Sequence, residues 1–297
     1  MLVDATIFFN ELAMLQLRMR ELYDLVDRFV VVEAGETFSG QPKPFYLQAQ
    51  RGLLEDPQGK LIYIQLPRLP PLWDNSEASR FRLEAYQRDA LLPVLLHGGL
   101  RPDDLVLLSD VDEVPSRSAV QQFRQHAAPG QVMQFSQLML KRNLEDTTAD
   151  GFNRRLWGGT LGVRFSYLGR ASPNELRQHL AHSGELLDRD LARQRGITVL
   201  EAGGWHFSSF GGAALADYKL SHYAHGVARP PVADPHGRLV QLGRPMTLSL
   251  ADEARLAATI LHLEALLGVA LPETLRRRPA DYAAFFSPTP APRLLAF

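Results

Sequence analysis

The sequence contains no cysteine, which excludes a disulfide framework, a thiolate nucleophile and a sulfur-ligated zinc site. An excess of either charge is also missing. Lys and Arg total 32 against 33 Asp and Glu, a formal charge of −1, so there is no electrostatic case for broad binding to nucleic acid or to a membrane surface. No N-terminal apolar run reaches spanning length, because Asp4, Asn10, Glu11 and Arg18 interrupt it, and no signal peptide is read there. A cytoplasmic protein is the expectation, with no transmembrane segment and with peripheral membrane association only through whatever it acts on. Internal repeats, the P-loop and the dinucleotide glycine fingerprint are absent as well.

What is present is enough apolar sequence, 45% of 297 residues, for one large α/β domain. Residues 1–228 are expected to form the catalytic domain, and 229–297 a C-terminal helical extension with a Pro-rich tail packing on it. Val3 to Phe9 reads as a strand. Asn10 then reads as the N-cap of a helix whose stripe is Leu12, Leu15, Met19 and Leu22. Phe29 to Glu33 and Leu61 to Leu66 are further strands. Asn75 to His97 is helical, with Phe81, Ala85, Leu91, Leu92 and Leu95 inward and a polar band of Arg80, Glu84, Gln87 and Arg88. It leads to Leu105-Val106-Leu107-Leu108, a run read as a buried central strand. This alternation predicts a mostly parallel sheet flanked by helices. Later in the chain, Ala119 to His126, Asn174 to Ala181, Ala213 to His222 and Leu248 to Leu267 read as helices. Val132 to Met139 and Ile197 to Leu200 read as strands.

The chemistry concentrates where the central strand ends, in Ser109-Asp110-Val111-Asp112-Glu113. Side chains two apart on an extended backbone point the same way, so Asp110 and Asp112 converge. Two convergent carboxylates suit a hard divalent ion, Mg²⁺ or Mn²⁺, completed by phosphate oxygens and water; the alternative is a solvated acidic loop. Glu33 also sits at a strand end, either as a loop-capping carboxylate or as a contact to a nucleotide. Further on, Gly203-Gly204-Trp205-His206 places a histidine on tight backbone, as a ligand or as a hydrogen-bonded core residue. Lys219 and His225 are candidate diphosphate contacts, and Arg88 joins the donor-binding candidates. Together these residues suggest a metal-bridged diphosphate leaving group.

The order Phe8-Phe9-Asn10-Glu11-Leu12 with Arg18, Val32-Glu33, Thr37-Phe38-Ser39-Gly40, Lys43-Pro44, Ser109 to Pro115, Gly204 to Ser208, and Lys219 with His225 resembles glycosyltransferase family 17, and specifically its bacterial members. The resemblance implies a GT-A type nucleotide-diphospho-sugar transferase fold in which Asp110-Val111-Asp112 is the acidic motif. Asp112 would then hold Mn²⁺, Asp110 would contact ribose or metal-bound water, and His206 would be a second metal ligand. Glu33 would lie in the uridine pocket. The implied donor is UDP-N-acetylglucosamine and the outcome is inversion. Eukaryotic members are lumenal and contain cysteines, so this sequence points instead to a bacterial glycan or glycolipid acceptor.

Inversion needs a base on the acceptor hydroxyl. The candidates are Asp146, Glu145 and Glu185, with Asp146 preferred and Glu113 placed behind them because it adjoins the metal motif. Rival readings are a nucleotidyltransferase acting on a sugar phosphate and a non-catalytic sugar-nucleotide-binding protein.

Overall fold

The computed structural model describes residues 1–145, 155–181, 184–210, 213–224 and 249–286. The first half alternates as the sequence predicts: β1 (Leu2–Phe8), α1 (Leu12–Leu22), β2 (Arg28–Ala34), the short α2 (Tyr46–Gln50), β3 (Leu61–Leu66), α3 (Glu77–Asp89), α4 (Leu91–His97) and β4 (Leu105–Asp110). Then come β5 (Glu113–Pro115), α5 (Arg117–His126), β6 (Val132–Lys141), β7 (Leu156–Arg164), α6 (Pro173–Glu175), β8 (Glu185–Leu186), α7 (Arg189–Gln194), β9 (Thr198–Ser208), α8 (Ala213–His222), α9 (Leu250–Leu267) and α10 (Glu273–Arg277). The strands form one sheet in the order β3-β2-β1-β4-β7-β6-β9-β5, with β8 beside β7. β3, β2, β1 and β4 run parallel, and so do β6 and β9, while β7 is antiparallel to both its path neighbours. This largely parallel, helix-flanked sheet is the α/β sandwich that a GT-A type fold implies.

The central strands are buried on both faces, and their two-residue period shows it. Leu107 packs into the core under α1 and α5 with Leu15, Met19 and Phe123. Val106 and Leu108 enter the opposite core with Leu91, Leu95 and Val163. Both layers are needed, since burying each such side chain contributes roughly 1.5–3 kcal/mol. A third core joins Trp205 and Phe207 of β9 to Leu256, Ile260 and Leu263 of α9. The proline-rich tail from Pro288 onward lies outside the described residues.

Three local readings are corrected. Asn10 does not cap α1: Glu11 occupies the N-cap without a side-chain cap, and its Oε2 accepts from the Asn10 and Phe9 amides at 3.0 and 3.3 Å. The single helix over 75–97 is two, meeting at Ala90, because Pro93 lacks the N–H that would bond Asp89 and its ring crowds that carbonyl. The helix over 174–181 is one short turn, capped by a Ser172/Glu175 box, that widens into a π-turn over Leu176–Leu180.

Gly203 and Gly204 mark a close approach of backbones. A Cβ on Gly204, whose φ is +133°, would lie 2.2 Å from the Val114 carbonyl oxygen, and one on Gly203 would lie 2.6 Å from the Ser136 amide nitrogen. Only glycine lets β9 pass between β5 and β6 at this spacing.

Candidate active site at the end of strand β4

The corner after β4 is held from below by Arg18 of α1, which is fully buried. Arg18 pairs with Asp4 through two bonds of 2.6 Å and donates to the Ser109 hydroxyl and the Glu113 carbonyl at 2.5 Å. It also reaches the Asp110 carbonyl at 3.3 Å. One guanidinium therefore fixes the backbone at both ends of the acidic motif. Val111 turns into the core between the two acids.

Each acid then has its own partners. Asp110 Oδ1 accepts from Arg88 at 2.9 Å and Oδ2 from Arg177 at 2.9 Å. Burial pushes the Asp110 carboxyl up, but Arg177 and Arg88 outweigh it and hold the group well below the usual carboxylate range. Arg88 also meets Glu84 at 2.7 Å, and Arg177 meets Glu113 at 2.5 and 2.9 Å. Glu113 further accepts from Trp157 Nε1 at 2.8 Å. Asp112 turns the other way. Its Oδ2 lies 2.7 Å from Lys219 Nζ, which also meets Glu11 at 2.8 Å. Burial lowers the Lys219 ammonium, yet Asp112 and Glu11 raise it well above its ordinary value.

His206 arrives by strand pairing. Glu113 stands opposite His206 in the β5–β9 ladder, which brings two segments far apart in sequence into one corner. His206 Nε2 is 3.8 Å from Asp112 Oδ1, its ring lies against Trp157 with centroids 4.5 Å apart, and its buried Nδ1 has no hydrogen-bond partner. Burial keeps the imidazole below its ordinary pKa despite Asp112, so it is neutral near pH 7 and offers a lone pair.

Among the described residues, no group of three or more His, Asp or Glu side chains is arranged around a common ion position. Asp112 and His206 form a two-donor pair, which suits an ion that takes its remaining ligands from phosphate and water. Asp110 does not share that pair, since both its oxygens face arginines. The linked ion pairs set five carboxylates (Glu11, Glu84, Asp110, Asp112 and Glu113) against three basic groups (Arg88, Arg177 and Lys219). Among the described residues, the linked charges of this corner therefore sum to a negative excess.

Glu33 lies elsewhere. Its buried carboxylate accepts from Lys43 Nζ at 2.6 Å, Tyr63 Oη at 2.6 Å, and the Tyr46 and Leu47 amides at 2.7 and 3.1 Å. Four protein donors leave it serving the loop-capping role. Of the base candidates, Glu145 lies 3.6 Å from Arg255, and Glu185 is exposed on β8 at the sheet's margin. Asp146, like His225, lies outside the described residues. Arg177, Glu11 and Trp157 were not singled out for chemistry in the sequence. Arg177 carries no sequence signal of its own, because the π-turn that aims it inward is read only as a short helix.

Residues 1–144 match the model of glycosyltransferase family 17, which bears out the resemblance over just under half of the chain. The β-1,4-mannosyl-glycoprotein 4-β-N-acetylglucosaminyltransferase of Homo sapiens is 34% identical over 115 residues, covering 37% of this chain and 21% of that protein. The enzyme of the same name from Rattus norvegicus gives the same figures. The match thus spans about a fifth of the length of these relatives. Among solved structures, the galactosyltransferase LgtC with donor and acceptor sugar analogues aligns at 14% identity and TM-score 0.35, over 67% of this chain and 73% of that one. The glycosyltransferase GlyE of Streptococcus pneumoniae TIGR4 aligns at 12% identity and TM-score 0.32, over 67% and 44%. At those scores neither likeness carries a functional argument.

Proposed function

We propose, from the premise that residues 1–144 match glycosyltransferase family 17, that the chain is a metal-dependent inverting glycosyltransferase using a UDP-sugar, with UDP-N-acetylglucosamine as the donor and a glycan or glycolipid hydroxyl as the acceptor. The observation that carries this reading is the corner after β4, where Asp112 lies between Lys219 and a neutral, buried His206.

Asp112 and His206 would hold Mn²⁺ or Mg²⁺, which supplies charge neutralisation at a departing diphosphate. The surplus carboxylates described above favour such an ion electrostatically. Lys219 is the mobile cation of the site, a point charge on a flexible stem that can leave Asp112 and Glu11 for a phosphate oxygen. Arg88 and Arg177 keep Asp110 ionised and fixed, which suits it to accept a hydrogen bond from a ribose hydroxyl or a bound water. Trp157 covers His206 and donates to Glu113, excluding water from that side. Asp146 is assigned the role of base on the acceptor hydroxyl, opposite the leaving group.

The test is release of UDP from UDP-N-acetylglucosamine with Mn²⁺, with and without chelator, for the unaltered chain and for Asp112→Ala. Chelation and the substitution should each abolish release. Release that survives both would overturn the reading.

A further inference from the structure

A tryptophan stands in solvent on the loop between β3 and α3. Trp73 is 76% exposed, although the loop on either side of it is anchored. Leu69 is buried and its amide donates to Glu36 at 2.9 Å, and Leu72 packs against the small core of Ala34, Leu69 and Leu83. On the other side Asp74 accepts from the Ser76 amide at 2.9 Å and from the Ser79 hydroxyl at 2.5 Å, tying the loop to the start of α3. Arg82 completes the clamp. Its guanidinium lies 3.9 Å from the Trp73 ring centroid and donates to the Pro71 carbonyl. Tyr86, one turn further along the same outward stripe of α3, is 49% exposed.

Fixing an indole costs conformational entropy that burial ordinarily offsets, and here most of the ring gains no burial. One face is braced by a cation and the other is left open. A planar, rigid, amphipathic surface of this kind suits a partner with an apolar C–H face and hydroxyls around its rim. The loop follows the C-terminal end of β3, so Trp73 lies at the same sheet edge as Asp110 and Asp112. From the same helix Arg88 reaches Asp110.

We propose that Trp73, braced by Arg82 and extended by Tyr86, is a carbohydrate-stacking platform that holds a pyranose ring of the acceptor glycan. This assignment rests on the transferase reading above for its choice of occupant.

Two readouts separate the platform from that reading. Chitotriose and α-mannotriose, the probes, are titrated against the intrinsic fluorescence of the full chain, Trp73→Ala and Trp73→Tyr, while UDP release without acceptor is followed in parallel. At least one trisaccharide should quench and blue-shift the emission of the unaltered chain. By ligand-observed NMR, Trp73→Ala should weaken affinity roughly tenfold. Trp73→Tyr, followed by the same ligand-observed NMR, should keep most of the binding, and UDP release should be the same in all three. No response to either sugar, or an equal affinity in Trp73→Ala, overturns the platform even if UDP release persists. Absent UDP release with Trp73-dependent sugar binding would instead overturn the transferase reading and leave a glycan site. Trp73 is exposed, so unchanged circular dichroism will show that the alanine variant is folded.

Discussion

Arg177 and Asp110 meet at 2.9 Å across a sequence gap of 67 residues, and the same guanidinium grips Glu113 at 2.5 Å. Arg177 and Glu113 are both about 1% exposed. Removing the cation would strand a carboxylate away from water, whereas a well-packed ion pair of this kind need not add net stability over apolar residues. Arg177→Met should therefore destabilise the fold by about 3–5 kcal/mol, read as a lower denaturant midpoint with little change in slope. A loss below about 1 kcal/mol would mean that Glu113 finds other compensation, since its remaining donors, Trp157 Nε1 and the Asp110 amide, are both neutral.

Lys219 bridges Asp112 and Glu11, and the proposed chemistry uses it to neutralise charge on the leaving diphosphate. Lys219→Ala should then lower kcat for UDP release by roughly 10²-fold with a smaller change in donor KM. Lys219→Arg should recover only part, because a planar fork cannot reproduce the compact ammonium between two acids. An unchanged kcat in Lys219→Ala would assign the lysine to holding α8 in place.

Arg80 offers a second handle on α8. It is about 1% exposed, and among the described residues none of its hydrogen-bond partners is a carboxylate. Two of its bonds go to Asn75 Oδ1, at 2.7 and 3.0 Å, and two to the Ser221 and Tyr223 carbonyls at 3.1 Å. A cation on the last carbonyls of a helix stabilises that end, so Arg80 pins α8 one turn beyond Lys219. Arg80→Ala should accelerate amide hydrogen exchange over 219–223 and lower kcat, with exchange in β1 and β4 unchanged. Arg80→Lys should not restore protection, since one ammonium cannot reach both Asn75 and the two carbonyls. Exchange that rises uniformly across the sheet would mark a global effect instead.

The parallel strands and the acidic corner were legible because their signals are local. Leu105 to Leu108 is apolar at every position, as a strand buried on both faces must be, and Asp110 and Asp112 sit where that run stops. Gly203-Gly204 was legible as tight backbone, although its cause, the approach of Val114 and Ser136, is tertiary. What escaped the sequence was the pairing of charges. Nothing near Asp110 says that its oxygens will face Arg88 and Arg177 and so turn away from the Asp112 and His206 pair. That outcome depends on a π-turn and on the packing of α3, both decided by contacts more than 20 residues away. Glu33 shows the same limit from the other side: its four donors come from the following loop, the start of α2 and β3, and only their convergence separates a capping carboxylate from a ligand contact.

The C-terminal segment is tied to the sheet domain through Glu55, and the tie should weaken in acid. Glu55 accepts from Arg20 at 2.5 and 3.1 Å and from Arg278 at 2.8 Å, while Arg20 also reaches Asp281 at 2.7 Å and the Tyr282 hydroxyl at 3.0 Å. The Arg20 hydrogen bonds, opposed by burial and reinforced by Arg278, hold the Glu55 carboxyl below its ordinary value of 4.5. A group whose folded pKa is depressed contributes stability that is fully present above its unfolded pKa and is lost as pH falls through the folded one. The loss should therefore begin near the ordinary glutamate value and continue below it. Glu55 is half exposed, so added salt should shrink the effect. Denaturant midpoints measured between about pH 6 and about pH 3 should fall more steeply for the unaltered chain than for Glu55→Gln, and the two should converge in acid. Protease cutting within 273–285 should rise over the same interval in the unaltered chain. Parallel acid limbs, or cutting independent of pH, would show that the apolar contacts of Tyr282 and Phe285 hold the segment without Glu55.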